Sequence, residues 1–167
     1  MYNELTEVDM KKMKDELKMR SIEFRPKLAD EVKEARSLGD LSENAEYRSA
    51  KRAFCRNESR IRYLEKMIRT ATVISIESKP DEVGIFDKIE VYYEDSGETE
   101  TLMLSTMTRL DTTKGYISKD SSFGKAVLGH KVGDRVMVKV SDDYSYYVVI
   151  KSIQKGYDDE SIPLTEY

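Results

Sequence analysis

Gly39-Asp40-Leu41-Ser42-Glu43-Asn44-Ala45-Glu46-Tyr47 stands between two long segments of helical periodicity, and its reading decides the fold. Gly39 tolerates the left-handed conformation that closes a helix. Asp40 is expected to N-cap the next helix, with Glu43 three residues on completing a capping box. The stretch is therefore the tip of a helical hairpin. Asp40, Glu43 and Glu46 place three carboxylates there. Acids at the end of a protruding arm reach places closed to a globular surface. Two uses of these acids stand side by side. In one they are caps whose charge suits a helix N-terminus. In the other, Asp40 and Glu43, with Glu46 beside them, hold a hard divalent cation. Mg²⁺ takes carboxylate oxygens and keeps several waters. So few ligands bind metal weakly unless another molecule completes the shell.

Outward from the tip, the first arm runs from about Thr6 to Leu38. Thr6 is a candidate N-cap, with Asp9 in the capping-box position. Met10, Met13, Leu17, Phe24, Leu28, Val32 and Ala35 recur mostly at helical spacings. Pro26 removes a backbone donor, which predicts a bend near Arg25. The second arm is more regular. Ala50, Phe54, Asn57, Ile61, Leu64, Ile68 and Ala71 alternate spacings of four and three. This heptad seam calls for an antiparallel partner, and Asn57 is a polar residue suited to fixing register. An arm of about 30 residues is roughly 45 Å long.

Beyond residue 72 the pattern changes to strands. Thr72–Ile76, Lys88–Tyr93, Thr99–Leu104, Arg135–Val140 and Tyr146–Ile153 are rich in Val, Ile, Tyr and Thr. Ser122–Leu128 reads as one short helix. The fold class is α+β: a long antiparallel coiled-coil hairpin over 1–76, then a small antiparallel β-sheet domain over 77–157. Residues 158–167 form a tail expected to be loosely held.

Charge is unevenly spread. Residues 1–75 carry 17 Lys+Arg and 14 Asp+Glu, a balance of +3, while residues 76–167 carry 11 and 18, a balance of −7. Within residues 48–69, Arg48, Lys51, Arg52, Arg56, Arg60, Arg62, Lys66 and Arg69 face only Glu58 and Glu65. A basic arm suits phosphates or an acidic channel, although a solvated helix face is the plainer reading. The overall charge of −4 argues against free duplex DNA as the main partner. No apolar run approaches the roughly 20 residues that span a bilayer, and no signal peptide is visible, so no membrane role and a cytoplasmic location are expected. Cys55 is the one cysteine and His130 the one histidine, too few for a zinc site. Cys55 is expected to pack beside the seam, and His130 to sit in a surface loop. Tyr146-Tyr147 is expected to be strand packing.

Residues 39–51, Gly-Asp-Leu-Ser-Glu-Asn-Ala-Glu-Tyr-Arg-Ser-Ala-Lys, resemble the tip motif of the bacterial Gre-type transcription elongation factors, the GreA/GreB family. Arg25-Pro26 and Ala35-Arg36 stand where that family has the same pairs. Gly84-Ile85-Phe86, Gly115-Tyr116-Ile117-Ser118, Ser121–Gly129, Val132-Gly133-Asp134 and Tyr147–Ile153 are similar to its C-terminal landmarks. The likeness covers about residues 6–155. The tail beyond Ile153 is longer than is usual in that family.

The resemblance implies an FKBP-like fold for the second domain, without implying prolyl isomerase activity. It implies that the coiled coil enters the secondary channel of backtracked RNA polymerase. There Asp40 and Glu43 would help the polymerase's own site hold a second Mg²⁺ and a hydrolytic water, and the extruded nascent RNA 3′ end is cut. Arg48, Lys51, Arg52 and Arg56 would be the residues binding RNA and polymerase. The protein would be a monomeric accessory factor, not an enzyme, holding no tightly bound cofactor of its own. The alternative is a Gre-like occluder that plugs the same channel without promoting cleavage. A plain coiled-coil interaction module, with acids as caps only, is a third class. A free-standing nuclease would need more ligands than the tip carries.

Overall fold

Ala50, Phe54, Asn57, Ile61 and Leu64 fall on one face of a single uninterrupted helix in the computed structural model, α3 (Ala45–Thr70). The structure describes residues 4–37, 44–158 and 161–165. The chain divides into two compact units: Asp9–Thr72, and Glu4–Val8 together with the chain from Val73 onward.

In the first unit, α3 is about 39 Å long at 1.5 Å per residue. Its buried stripe is Asn57, Arg60, Ile61, Leu64 and Met67. Ile61 and Leu64 are fully buried, each worth about 2 kcal/mol of apolar transfer. The opposing arm is α1 (Glu7–Met19) and α2 (Arg25–Ser37), joined by a π-helical turn at Arg20–Phe24. Met13 and Ala35 are its buried apolar residues. The pairs Glu16–Arg60, Arg25–Glu58 and Ala35–Asn44 run in opposite chain directions, so the arms are antiparallel.

The sequence predicts a bend at Arg25, and the structure places a π turn there. Pro26 has no N–H, and in a regular α-helix its ring would press on the carbonyl of Ile22. Opening the preceding turn by one residue relieves that contact. The Arg25 N–H accordingly donates to the Arg20 carbonyl, five residues back. The inserted residue shifts the phase of the helix. Phe24, expected on the seam, is 37% exposed, and Ile22 is 63% exposed. Asn57 meets this turn. Its side-chain amide donates to the Arg20 carbonyl and its oxygen accepts from the Arg20 guanidinium, both at 3.4 Å. The polar residue on the seam thus faces the irregular turn of the other arm.

The second unit is built on a sheet of five strands in the order β5-β4-β3-β7-β6. These are β3 (Lys88–Tyr93), β4 (Thr99–Ser105), β5 (Tyr116–Ser118), β6 (Arg135–Lys139) and β7 (Ser145–Gln154). All neighbours are antiparallel except β4 and β5, which are parallel. The expected antiparallel sheet is therefore mixed, because a crossover through two short 3-10 turns brings β5 alongside β4 in the same sense. Three residues of Tyr-Ile-Ser are too short a run to announce a strand. Conversely, the expected strand Thr72–Ile76 is reduced to β2 (Thr72–Val73), which pairs with β1 (Glu4–Leu5). The Ile74 N–H donates to the Leu5 carbonyl beside it.

Alternation with period two sends Ile89 and Val91, Leu102 and Leu104, Val136 and Val138, and Val148 and Ile150 to one core. Helix α4 (Ser122–Val127) closes that core with Phe123 and Val127. Ser121 caps it, accepting from the Gly124 N–H at 2.9 Å. Gly124 must be glycine: a Cβ there would strike the backbone of Ser118 and Lys119. Tyr146 points inward, 5.9 Å from Tyr93, while Tyr147 lies outward under the Arg135 guanidinium at 3.6 Å. His130 is a surface residue, with Nδ1 3.0 Å from the Asp134 carboxylate.

The tail differs from expectation. Asp158 pairs with the buried Arg109 at 2.7 Å, and the Thr165 N–H donates to the Thr108 carbonyl at 2.8 Å. An interior cation draws the chain end back onto the domain, a pairing no local pattern announces.

Candidate functional site on the hairpin

The start of α3 sets the site. Asn44 is its N-cap, and the Asn44 side-chain oxygen accepts from the Tyr47 N–H at 2.9 Å. The same side chain donates through Nδ2 to the Ala35 carbonyl at 2.9 Å. One residue therefore caps the second arm and fastens it to the end of the first. The sequence places this cap at Asp40, four residues earlier. That expectation is corrected: Asn-Ala-Glu-Tyr is the operative start, and Asn ranks with Asp among the best caps. Asp40 and Glu43 lie outside the described residues. Neither is the N-cap of α3, a position that Asn44 holds.

Glu46 is exposed in the first turn of α3. Arg48, Lys51, Arg52 and Arg56 are all exposed on the same helix. At 3.6 residues per turn, Arg48, Arg52 and Cys55 fall opposite the seam positions Ala50, Phe54 and Asn57. A hollow of about 550 Å³ is lined by Ala45, Arg48, Lys51, Arg52 and Cys55. The Arg52 Nε donates to the Arg48 carbonyl at 3.3 Å, and the Lys51 ammonium lies 5.8 Å from the Tyr47 ring centre. Cys55 is exposed and not a packing residue, because its phase on α3 turns it from the seam. The four basic residues are thus a contiguous cationic surface just behind the tip.

Not all the basic charge of this arm belongs to that surface. Arg60 is buried, and it clamps Glu16 through Nε at 2.9 Å and Nη2 at 2.8 Å. Arg20 adds a third bond to Glu16 at 2.6 Å. Burial pushes the Glu16 carboxyl up, but the hydrogen bonds from Arg60 and Arg20 outweigh it and hold the group below the ordinary range. Arg25 grips Glu58 with two bonds, at 2.6 and 2.8 Å. These pairs stiffen the shaft that carries the tip. The Arg25–Glu58 and Glu16–Arg60 pairs are not legible in the sequence because they join residues 33 and 44 positions apart.

No helix among the described residues is long and apolar enough to cross a membrane. Comparison with known proteins accounts for nearly the whole chain. The family description "Transcription elongation factor, N-terminal" matches residues 3–73, and "Transcription elongation factor, GreA/GreB, C-term" matches residues 77–155. The transcription elongation factor GreA of Thermotoga maritima is 36% identical over 151 residues, covering 90% of this chain and 97% of that protein. GreA of Thermoanaerobacter pseudethanolicus is 40% identical over 137 residues, covering 81% of this chain and 87% of that protein. A solved structure of the GreA factor homolog 1 (Gfh1) protein of Thermus thermophilus is 24% identical, covering 93% of this chain and all of that one, with a TM-score of 0.42. The assignment rests on the two family matches and the curated relatives: this chain belongs to the GreA/GreB family of transcription elongation factors.

Proposed function

We propose that this protein binds RNA polymerase, delivers the hairpin tip into its secondary channel, and stimulates the polymerase's own cleavage of the extruded RNA 3′ end in backtracked complexes. The observation that carries this reading is the role of Asn44. Capping α3 and tying it to Ala35 are both done by that residue, so Asp40 and Glu43 are not needed for either task. Acids spared from capping are available for chemistry.

The tip's donor set is hard carboxylate oxygen, which fits Mg²⁺ shared with the polymerase. When bound, such an ion supplies Lewis-acid polarisation and a more acidic water. Asp40 and Glu43 supply the extra negative oxygens and orient water at the polymerase site. Arg48, Lys51, Arg52 and Arg56 bind phosphates of the extruded RNA or acidic walls of the channel. The ion pairs between the arms stiffen the shaft that carries the tip. The protein makes and breaks no bond alone; it completes a site that belongs to its partner.

The test is addition of the protein to stalled, backtracked polymerase with Mg²⁺, scored by shortening of RNA from its 3′ end. Stimulated cleavage is the expected result. Inhibition of elongation without any shortening identifies an occluder instead. Asp40→Asn and Glu43→Gln are expected to lower stimulation by roughly a hundredfold or more, the scale of a lost transition-state electrostatic contact. Normal cleavage by both variants removes the acids from the mechanism.

A further inference from the structure

The two arms of the hairpin do not match in their count of residues along the seam. On α3, Ala50, Phe54, Asn57, Ile61 and Leu64 alternate spacings of four and three without a break. On the first arm, Met13 and Ala35 are both buried, yet they stand 22 residues apart, one more than three heptads. Leu17 and Val32 stand 15 apart, one more than two heptads. The apolar frame after Pro26 is therefore one residue late relative to the frame before it. An unbroken partner helix cannot absorb that offset, so the first arm has a surplus residue that must leave the regular helix somewhere.

It leaves at the π turn Arg20–Phe24, which takes one residue more than an α turn and sets the Arg25 N–H on the Arg20 carbonyl. Ile22, inside the turn, is 63% exposed. Two residues hold the surplus there. Pro26 would press on the carbonyl four residues back if the turn closed. Asn57, buried on α3, is bonded at 3.4 Å both to the Arg20 carbonyl and to the Arg20 guanidinium. Beyond the turn the frame is right again: Ala35 is buried, and its carbonyl accepts from Asn44 Nδ2 at 2.9 Å. Were the turn to close, the first arm beyond it would rotate by about 100° and advance by about 1.5 Å along α3. Glu34 would then take the seam place of Ala35. The connection to Asn44, which contains Asp40 and Glu43, would gain a residue.

We propose that the π turn stores the surplus residue of the first arm, and that Pro26 and Asn57 are positioning residues that keep it out of the tip. This rests on the reading of Asp40 and Glu43 as the acids that act in the polymerase site. A tip connection one residue longer carries the same charges at the wrong distance. Chemistry that depends on placement responds steeply: a misplacement of about 1 Å costs about a hundredfold. Docking of the arm does not depend on that placement, so binding and cleavage separate.

The experiment removes both holds, and then the surplus itself. Pro26→Ala with Asn57→Leu allows the turn to close, and leucine suits an apolar seam. The same pair with Ile22 deleted has no residue to spare. Thermal melts establish that both proteins are folded. In the first variant, cleavage of backtracked RNA at saturating factor is expected to fall about a hundredfold, with the concentration for half-maximal stimulation unchanged. In the second, cleavage is expected to recover, a result that a mere loss of stability does not produce. Spin labels on the exposed Cys55 and on Lys33→Cys report the register without polymerase. Parent and deletion variant should give one distance, and the first variant another. If the first variant does not fold, Pro26→Ala with Asn57→Ser, whose side chain is too short to reach the Arg20 carbonyl, takes its place. Parent-like cleavage in the folded first variant, no recovery in the folded deletion variant, or one distance in all three proteins overturns the proposal. A parent protein that stimulates no cleavage overturns the functional reading and the positioning role with it. The distances then decide on their own whether the turn stores the surplus residue.

Discussion

At the residue scale, the division of labour between Asn44 and the acids ahead of it leads to opposite expectations for stability and activity. Asn44 satisfies one orphan amide of α3 and bonds the Ala35 carbonyl of the opposing arm. Replacing it with alanine loses both, so Asn44→Ala is expected to destabilise the hairpin by about 1–2 kcal/mol. Asn44, not Asp40 or Glu43, is the N-cap of α3, so Asp40→Asn and Glu43→Gln are expected to leave the melting temperature nearly unchanged while removing cleavage. Thermal melts and cleavage assays on the same three variants separate the roles. A large loss of stability in the Asp40 or Glu43 variants, matching that of Asn44→Ala, would return the acids to a structural role. The basic residues carry a different signature. Lys51→Ala with Arg52→Ala is expected to weaken the response of complexes with long extruded RNA more than those backtracked by a few nucleotides. Longer RNA offers more phosphates, and such contacts fade with salt. An equal, salt-insensitive effect on both complexes would make these side chains merely structural.

At the element scale, the shaft depends on the Glu16–Arg60–Arg20 cluster and the π turn beside it. The folded Glu16 carboxyl is held below its ordinary value, chiefly because the guanidinium bonds overcome burial. Its contribution is therefore present above the unfolded value of about 4.3 and is lost as pH falls through the folded one. Glu16→Gln is expected to cost about 2 kcal/mol at neutral pH, between an exposed pair and a fully buried one. It should also flatten the acid limb of the stability profile. Urea melts of parent and variant between neutral and acid pH check both; parallel profiles would show that the cluster contributes no pH-linked stability. The long helices were legible because their signals are local: the alternating seam of α3 runs unbroken from Ala50 to Leu64. The π turn was legible only as a disturbance. Pro26 announces that a hydrogen bond is lost, but not whether the chain kinks or widens, since Asn57 on the other arm favours the widened form. Asn44 was overlooked because Asp40 matches the same capping rule, and local rules do not choose between two good caps. Strand β5 and the Asp158–Arg109 pair escaped because each is defined by a partner distant in sequence.

At the scale of the whole molecule, the boundary between units falls near residue 73, but Glu4–Val8 belong with the sheet unit and not with the hairpin that follows them. Lys119 pairs with Glu4, and Arg109 donates to Thr6. The proposed tip residues Asp40 and Glu43 lie within residues 1–76, so that fragment is expected to retain some stimulated cleavage at high concentration. A second unit that docks on the polymerase would keep the arm nearby, raising its local concentration without altering the chemistry. Residues 77–167 are expected to bind polymerase and compete with the full-length protein, yet never to stimulate cleavage. They lack Glu4 and Thr6, however, so Lys119 and the buried Arg109 each lose a partner. Arg109 keeps Asp158 and Lys119 keeps Asp120, so the 77–167 fragment is expected to be only about 1 kcal/mol less stable than the same unit in the intact chain, the scale of a lost hydrogen bond. Supplying residues 1–8 as a peptide should recover part of that loss. Hydrogen exchange within the second unit, compared between the intact chain and the fragment with and without peptide, measures the difference. Identical protection in all three would show that the N-terminal segment is an ornament of the sheet unit. A well-folded 1–76 fragment with no activity at any concentration would show that the second unit does more than tether.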